Sequence, residues 1–240
     1  MSIGKRMVEK RSGRQSADNA EHTKEQILCA AAALFCEKGY DKVSVREISE
    51  RAGVSHGLIR HHFGAKQLVW ERICDGVHQE FGQILERLVS EMDPSMLANV
   101  RLYTLMSRLT ATLLLDPRPC QLMAGAVREN TELFDYLKDH PAAMVMPIEQ
   151  ALKEAQDAGF MRDSSVEELK WMMIVHLDAA TTLTPMLLET FGEDKSLALY
   201  RHWLMYCRSL GSMLGIEHDS FPHPATLEES AIERICGLSC

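Results

Sequence analysis

The residues with most to offer chemically fall in one short stretch, Ser55-His56-Gly57-Leu58-Ile59-Arg60-His61-His62. A guanidinium such as that of Arg60 can hold a phosphate or read guanine with two hydrogen bonds. His61 and His62 are adjacent, about 100° apart on a helix, so they do not suit one metal ion, and no metal site is assigned there. A second group lies at the C-terminal end, where Cys236 and Cys240 have His218 and His223 nearby. Two thiols and two imidazoles could answer to a metal or an oxidant, although the spacing is not Cys-x-x-Cys. No nucleophile elbow, phosphate loop, His-Glu-x-x-His or dinucleotide fingerprint is present, and no carboxylates are paired in a motif. Neither an enzyme nor a bound cofactor is expected.

The elements that must position the first stretch are short. Ser44 with Glu47 is a capping box, each side chain meeting a free backbone N–H of the first turn, so a helix is expected from about Val45 to Ala52. Gly53 breaks it, and Ser55 can cap a further helix running to His62 or Phe63. Val45, Ile48, Ala52, Val54, Ile59 and Phe63 are the apolar residues that would fix the angle, leaving His56, Gly57, Leu58, Arg60 and His61 on the other face. Two short helices across a tight turn form the helix-turn-helix pattern, whose second helix lies in a DNA major groove. Upstream, Thr23 with Gln26 reads as another capping box. Ile27, Ala31, Leu34 and Phe35 form one helical stripe, ended by Gly39. The first 20 residues carry Lys5, Arg6, Lys10, Arg11 and Arg14 without a periodic apolar face, the composition of a flexible arm. Such an arm can track a minor groove or remain disordered.

The stretch TKEQILCAAAALFCEKGYDKVSVREISERAGVSHGLIRHHFGAKQLV resembles the N-terminal domain of TetR-type transcriptional regulators. Phe35, Gly39-Tyr40, Ser44-Val45, Ile48, Ala52-Gly53-Val54-Ser55, His62-Phe63 and Lys66 carry the resemblance. It implies a homodimer that binds double-stranded operator DNA and is released by a small molecule held in its C-terminal domain. By the same resemblance Ser44 would offer its hydroxyl and nearby backbone N–H groups to a phosphate. Ser55 would cap the recognition helix, and His56, Gly57, Leu58 and His61 would face base edges or backbone. His62 closes that helix and is counted with them, and Lys66 would meet a phosphate. The chain departs from the family pattern in carrying Arg60 where tyrosine is common, His61 where another aromatic is frequent, and Leu58 where a small polar residue is usual.

The chain has 240 residues and a mass of 27.1 kDa, with 46% hydrophobic and 25% charged residues, which excludes a mostly disordered chain. Its longest apolar run, Ile27 to Cys36, has ten residues, against roughly 20 for a membrane span. No signal peptide and no membrane partner are expected. Seven cysteines without paired spacing are expected as reduced thiols in a cytoplasm. The net charge is −8, yet residues 1–72 hold 13 Lys and Arg against 9 Asp and Glu, whereas residues 73–240 hold 13 against 25. A basic head on an acidic body suggests that one end meets a polyanion.

Helical periods continue to the end of the chain, with breaks expected at Asp93-Pro94, Asp116-Pro117-Arg118-Pro119, His140-Pro141, Gly159 and Gly192. Ser165 with Glu168 should open a long helix to about Phe191, kinked at Pro185. Another helix should run from Asp194 to about Gly211. A loop containing Phe221-Pro222-His223-Pro224 and a short helix near Leu227–Cys236 should follow. The expected fold is all-α with about ten helices: an arm over 1–20, a DNA-binding domain over 21–67, a ligand-binding and dimerisation domain over 68–218, and a tail over 219–240. The resemblance implies that the last two long helices pair with their mates in a dimer. It also places the ligand pocket among the middle helices. There Tyr103, Arg108, Arg128, Trp171 and His176 are the candidate polar anchors and Met123 and Met144 candidate adaptable walls. The effector would be an apolar or amphipathic small molecule.

Overall fold

The computed structural model describes residues 4–129, 131–138, 142–217 and 224–232, with backbone alone for 4–18, 129, 131, 138 and 142–144. Among the described residues there are twelve α-helices and no strand, an all-α fold with two more helices than expected. They are α1 (Gly4–Lys38), α2 (Val45–Ala52), α3 (His56–His62), α4 (Lys66–Glu91), α5 (Ala98–Leu115) and α6 (Arg118–Glu129). Then follow α7 (Thr131–Lys138), α8 (Ala142–Asp157), α9 (Val166–Thr182), α10 (Thr184–Phe191), α11 (Lys195–Met213) and α12 (Leu227–Ser230).

Three expectations change. First, α1 runs back to Gly4, so helix replaces the flexible arm over residues 4–20, and the helix does not start at Thr23. The Thr23 hydroxyl donates to the Asn19 carbonyl at 2.8 Å, as a residue inside a helix can. The stretch lacks proline and is rich in Lys, Arg, Gln, Glu and Ala, which are good helix formers without an apolar face. Second, the helix expected from Val166 to Phe191 is two helices meeting at 89°. Pro185 lies in the first turn of α10 and has no N–H for the Thr181 carbonyl. The Thr184 hydroxyl lies 3.0 Å from that oxygen instead. Third, Cys29 is disulfide-bonded, against the expectation of seven reduced thiols. Cys36, Cys74, Cys120 and Cys207 are free. The break at His140-Pro141 and the Cys236, Cys240, His218 and His223 group lie outside the described residues, and α12 ends at Ser230 rather than Cys236.

Two apolar cores result. The head core gathers Ile27, Leu34 and Phe35 of α1, Ile48 of α2, Ile59 of α3, and Val69, Trp70 and Ile73 of α4. Phe35, Tyr40 and Trp70 form an aromatic triad with ring centroids 5.3–5.8 Å apart. Leu122 and Ala126 of α6 and Leu133 of α7 complete this core. The body core is built around α5, whose Leu102, Leu105, Met106 and Leu109 are fully buried against α4, α8, α9 and α11. The Trp203 indole N–H donates to the Ser107 carbonyl at 2.8 Å and pins α11 to α5. The partition expected at residues 67 and 68 falls inside α4. No single described helix is long and apolar enough to cross a membrane.

Candidate nucleic-acid interface

The capping box at Ser44 forms as its spacing requires. The Ser44 N–H and hydroxyl both donate to Glu47 Oε2 at 2.8 Å, and the Glu47 N–H donates back to Ser44 Oγ at 3.2 Å. Lys38 donates to the other carboxylate oxygen at 2.9 Å. The Ser44 donors and the Lys38 ammonium together hold the Glu47 carboxyl down at about 2. Gly53 then turns the chain at φ 66°, ψ 26°, the left-handed region that glycine enters without cost. A Cβ there would meet nothing within 4 Å, so the backbone angle rather than space demands glycine.

The turn sets α3 with one side in and one side out. Ile59 and Phe63 are buried in the head core, while His56, Gly57, Arg60 and His61 are exposed. Leu58 is 37% exposed, which decides against packing inside for this departure from the family pattern. His62 is half-buried with its ring against Phe63. The five residues expected on the outer face therefore lie on it.

Three expected site residues behave differently from the others. Ser55 precedes α3 in extended conformation, but its side chain makes no cap hydrogen bond, so the expected cap is absent. The Ser44 hydroxyl is exposed, yet it is engaged with Glu47. Lys66 turns inward: its ammonium donates to the carbonyls of Tyr40 at 2.9 Å and Val43 at 3.0 Å and lies 4.0 Å from the Tyr40 ring centroid. This ties the start of α4 to the loop between α1 and α2. Tyr40 was visible in the sequence only as part of Gly39-Tyr40, and its part in holding Lys66 had no separate signal. Arg51 also braces the motif, gripping Glu37 with two hydrogen bonds of 2.7 and 2.8 Å and so tying α2 to α1.

The seven residues expected around a ligand are dispersed. Tyr103 is buried beside Cys207, and burial pushes its hydroxyl above the ordinary range. Arg108 bridges helices, donating to Glu91 at 3.0 Å and to the Ser230 carbonyl at 3.2 Å. Arg128 is exposed and bonds its own helix at Ala124. Met123 is half-buried. Trp171 is 67% exposed. His176 stacks on His202 with ring centroids 3.6 Å apart. The Met144 side chain is outside the described residues. A small cleft of about 20 Å³, space for a water-sized occupant, opens between α4, α5 and the start of α6. Its walls are Val77, Glu80, Phe81, Ile84, Thr112, Leu113, Asp116 and Pro119, and none of the seven is among them. Its two carboxylates gave no signal in sequence, because isolated acids in helices carry no spacing signature.

Comparison with known proteins agrees with this geometry. The family model for bacterial regulatory proteins of the tetR family matches residues 27–72. An HTH-type transcriptional repressor of Mycobacterium tuberculosis (strain ATCC 25618 / H37Rv) is 30% identical over 125 residues, 52% of this chain and 64% of the relative. The chain thus spans less than two thirds of the length of that curated relative. Among solved structures, the SmeT–triclosan complex aligns with a TM-score of 0.61 at 24% identity, over 86% of this chain and 97% of the other. FadR from Bacillus subtilis in complex with stearoyl-CoA aligns at 0.57 with 21% identity, over 80% and 98%. The likeness to these two is one of fold. The residues matched by the family model run from α1 through α2, its turn and α3 into the start of α4, and over them this chain is similar to the TetR family of bacterial regulatory proteins.

Proposed function

We propose that the protein is a cytoplasmic transcriptional repressor that binds a palindromic operator as a homodimer and leaves it when a small apolar or amphipathic molecule enters the body. The observation that carries this reading is the division of α3: Ile59 and Phe63 anchor it while His56, Gly57, Leu58, Arg60 and His61 face outward. A helix held in this way can enter a major groove without disturbing its own core. Ser44 stands at the start of α2, where its N-terminal N–H groups suit a phosphate, and Lys66 acts by holding that loop in place. Dimerisation through α9, α10 and α11 is supported by apolar side chains left in solvent: Trp171 and Val175, Met186, and Leu197, Met205 and Met213. Apolar residues this numerous on adjacent helices favour burial against a second copy. The effector class is supported by the solved neighbours, one with triclosan and one with stearoyl-CoA. Release requires the effector to bind the DNA-incompetent arrangement more tightly, since equal affinity for both shifts nothing.

Fluorescence anisotropy on DNA flanking the protein's own gene, against random DNA, tests the reading. Specific binding tighter by roughly 10³ or more is expected, and equal affinity for both would sink it. Arg60→Ala should weaken specific binding by about 1–3 kcal/mol if the guanidinium reads a base edge; an unchanged isotherm removes that role. The mass in solution should be that of a dimer.

A further inference from the structure

The charge that α3 can offer to DNA is mostly protonatable. Most of the fixed cations of α1, α2 and the start of α4 are engaged within the protein. Lys38 pairs with Glu47, Arg46 with Glu50, Arg51 with Glu37 and Arg72 with Asp75, and Lys66 is held by two carbonyls. Lys24 pairs with Glu21. Among described residues 19–72, Lys42 and Arg60 are the Lys and Arg side chains with no ion-pair or hydrogen-bond partner, and of these only Arg60 is on α3. The other groups on α3 that can carry positive charge are His56, His61 and His62. The His61 ring lies against His62 and the His62 ring against Phe63, and among the described residues no carboxylate of α1, α2 or α4 pairs with the three histidines. Of the acids on those elements, Glu37, Glu47, Glu50 and Glu71 are taken up by Arg51, Lys38, Arg46 and Gln67, and Asp75 by Arg72 and Tyr136.

We infer that operator binding is coupled to proton uptake by the histidines of α3, so that acidification tightens the grip on DNA and raises the number of phosphates neutralised. This rests on the DNA-binding reading above. Imidazole is the side chain that gains charge between pH 8 and 5. A phosphate within a few ångströms favours its charged form, and each new cation on the duplex releases further counterions. Protonation takes α3 from one positive charge, Arg60, to as many as four. A reading helix built on fixed arginines and lysines has no such reserve.

The experiment uses the full-length protein, a labelled duplex from upstream of its own gene and a labelled mixed-sequence duplex, with anisotropy titrations over a salt series at pH 8 and pH 6. On both duplexes binding at pH 6 should be at least about tenfold tighter, with a salt slope steeper by about one to two units. The H56Q/H61Q variant alters two exposed side chains that make no hydrogen bonds. With its helical circular dichroism intact at both pH values, it should lose most of the pH difference and of the slope difference. Equal wild-type affinity and slope at the two pH values overturn the inference, as does a variant that keeps the full pH difference. Absence of binding to either duplex at either pH overturns the DNA-binding reading itself.

Discussion

His61 and His62 are neighbours at the end of α3, with ring centroids 5.2 Å apart and His61 open to solvent. His176 and His202 are 26 residues apart and stack at 3.6 Å, within 7° of parallel, between α9 and α11. His202 Nε2 lies 3.0 Å from the His176 carbonyl, which favours the neutral ring protonated at that nitrogen. Burial pushes His176 down to about 3, and the neighbouring His202 adds to the effect; burial lowers His202 as well. Tyr206 and Phe191 are rings beside the pair, and among the described residues no carboxylate forms an ion pair with it. One region keeps its imidazoles where water and a polyanion can reach them. The other closes around neutral imidazoles. Acid should therefore act on the two regions with opposite sign, strengthening contacts at the head and weakening the packing of the body.

The largest expected effect is on the body. His176 in the folded chain titrates below the ordinary value near 6.5, so the neutral pair stabilises fully above that pH. Stability falls as pH drops from 6.5 towards 3, because the unfolded chain binds a proton that the folded chain refuses. By pH 4 this one group should cost on the order of 3 kcal/mol. Urea unfolding of wild type and His176→Phe at pH 7.5 and pH 4 measures it, since the variant keeps a ring in the stack but cannot take the proton. The variant should lose less stability on acidification. Equal losses would dissolve the contrast between the regions.

A smaller effect belongs to the head. Lys66→Met leaves the Tyr40 and Val43 carbonyls without their donor and removes the cation over the Tyr40 ring, a cost of about 1–3 kcal/mol. Thermal unfolding would register it. A lysine that only positions the loop should leave the salt dependence of DNA binding unchanged, whereas one that meets a phosphate should flatten it. Smaller again is Ser44→Ala, which breaks a formed cap and should cost about 1 kcal/mol. Ser55→Ala removes a hydroxyl with no cap bond, and stability should stay within about 0.5 kcal/mol. A Ser55 effect equal to that of Ser44 would contradict the geometry of the two helix starts.

The head was legible because its signals are local. A capping box, a glycine in a turn and an apolar residue every third or fourth position each act within one helical turn. From them α2 and α3 were placed with the right exposed face. The start of α1 was missed because a polar helix without an apolar face has the composition of an arm. Ser55 and Lys66 show a subtler limit: spacing says where a side chain starts, not which of two partners it takes. In the body, the decisive contacts join residues far apart in sequence. His176 was singled out as a polar residue in an apolar helix, but its partner His202 lies on another helix, and no pattern along the chain announces the stack. Tyr103, Arg108 and Trp171 have residue types that suit a pocket, yet burial, bridging and exposure distribute them to three different tasks.

The completion of the head core by Leu122, Ala126 and Leu133 bears on how the molecule can be dissected. A fragment cut after α4 would retain the whole reading motif and lose the apolar lid on its inner side. Ile27, Phe35 and Ile73 share their core with that lid, and the fragment would present their side of it to water as a sticky face prone to self-association. The helix-turn-helix end is thus not a portable module: grafted onto another protein it would need α6 and α7, or a substitute for them, to remain folded. Any force that shifts α6 is also felt directly beneath α1.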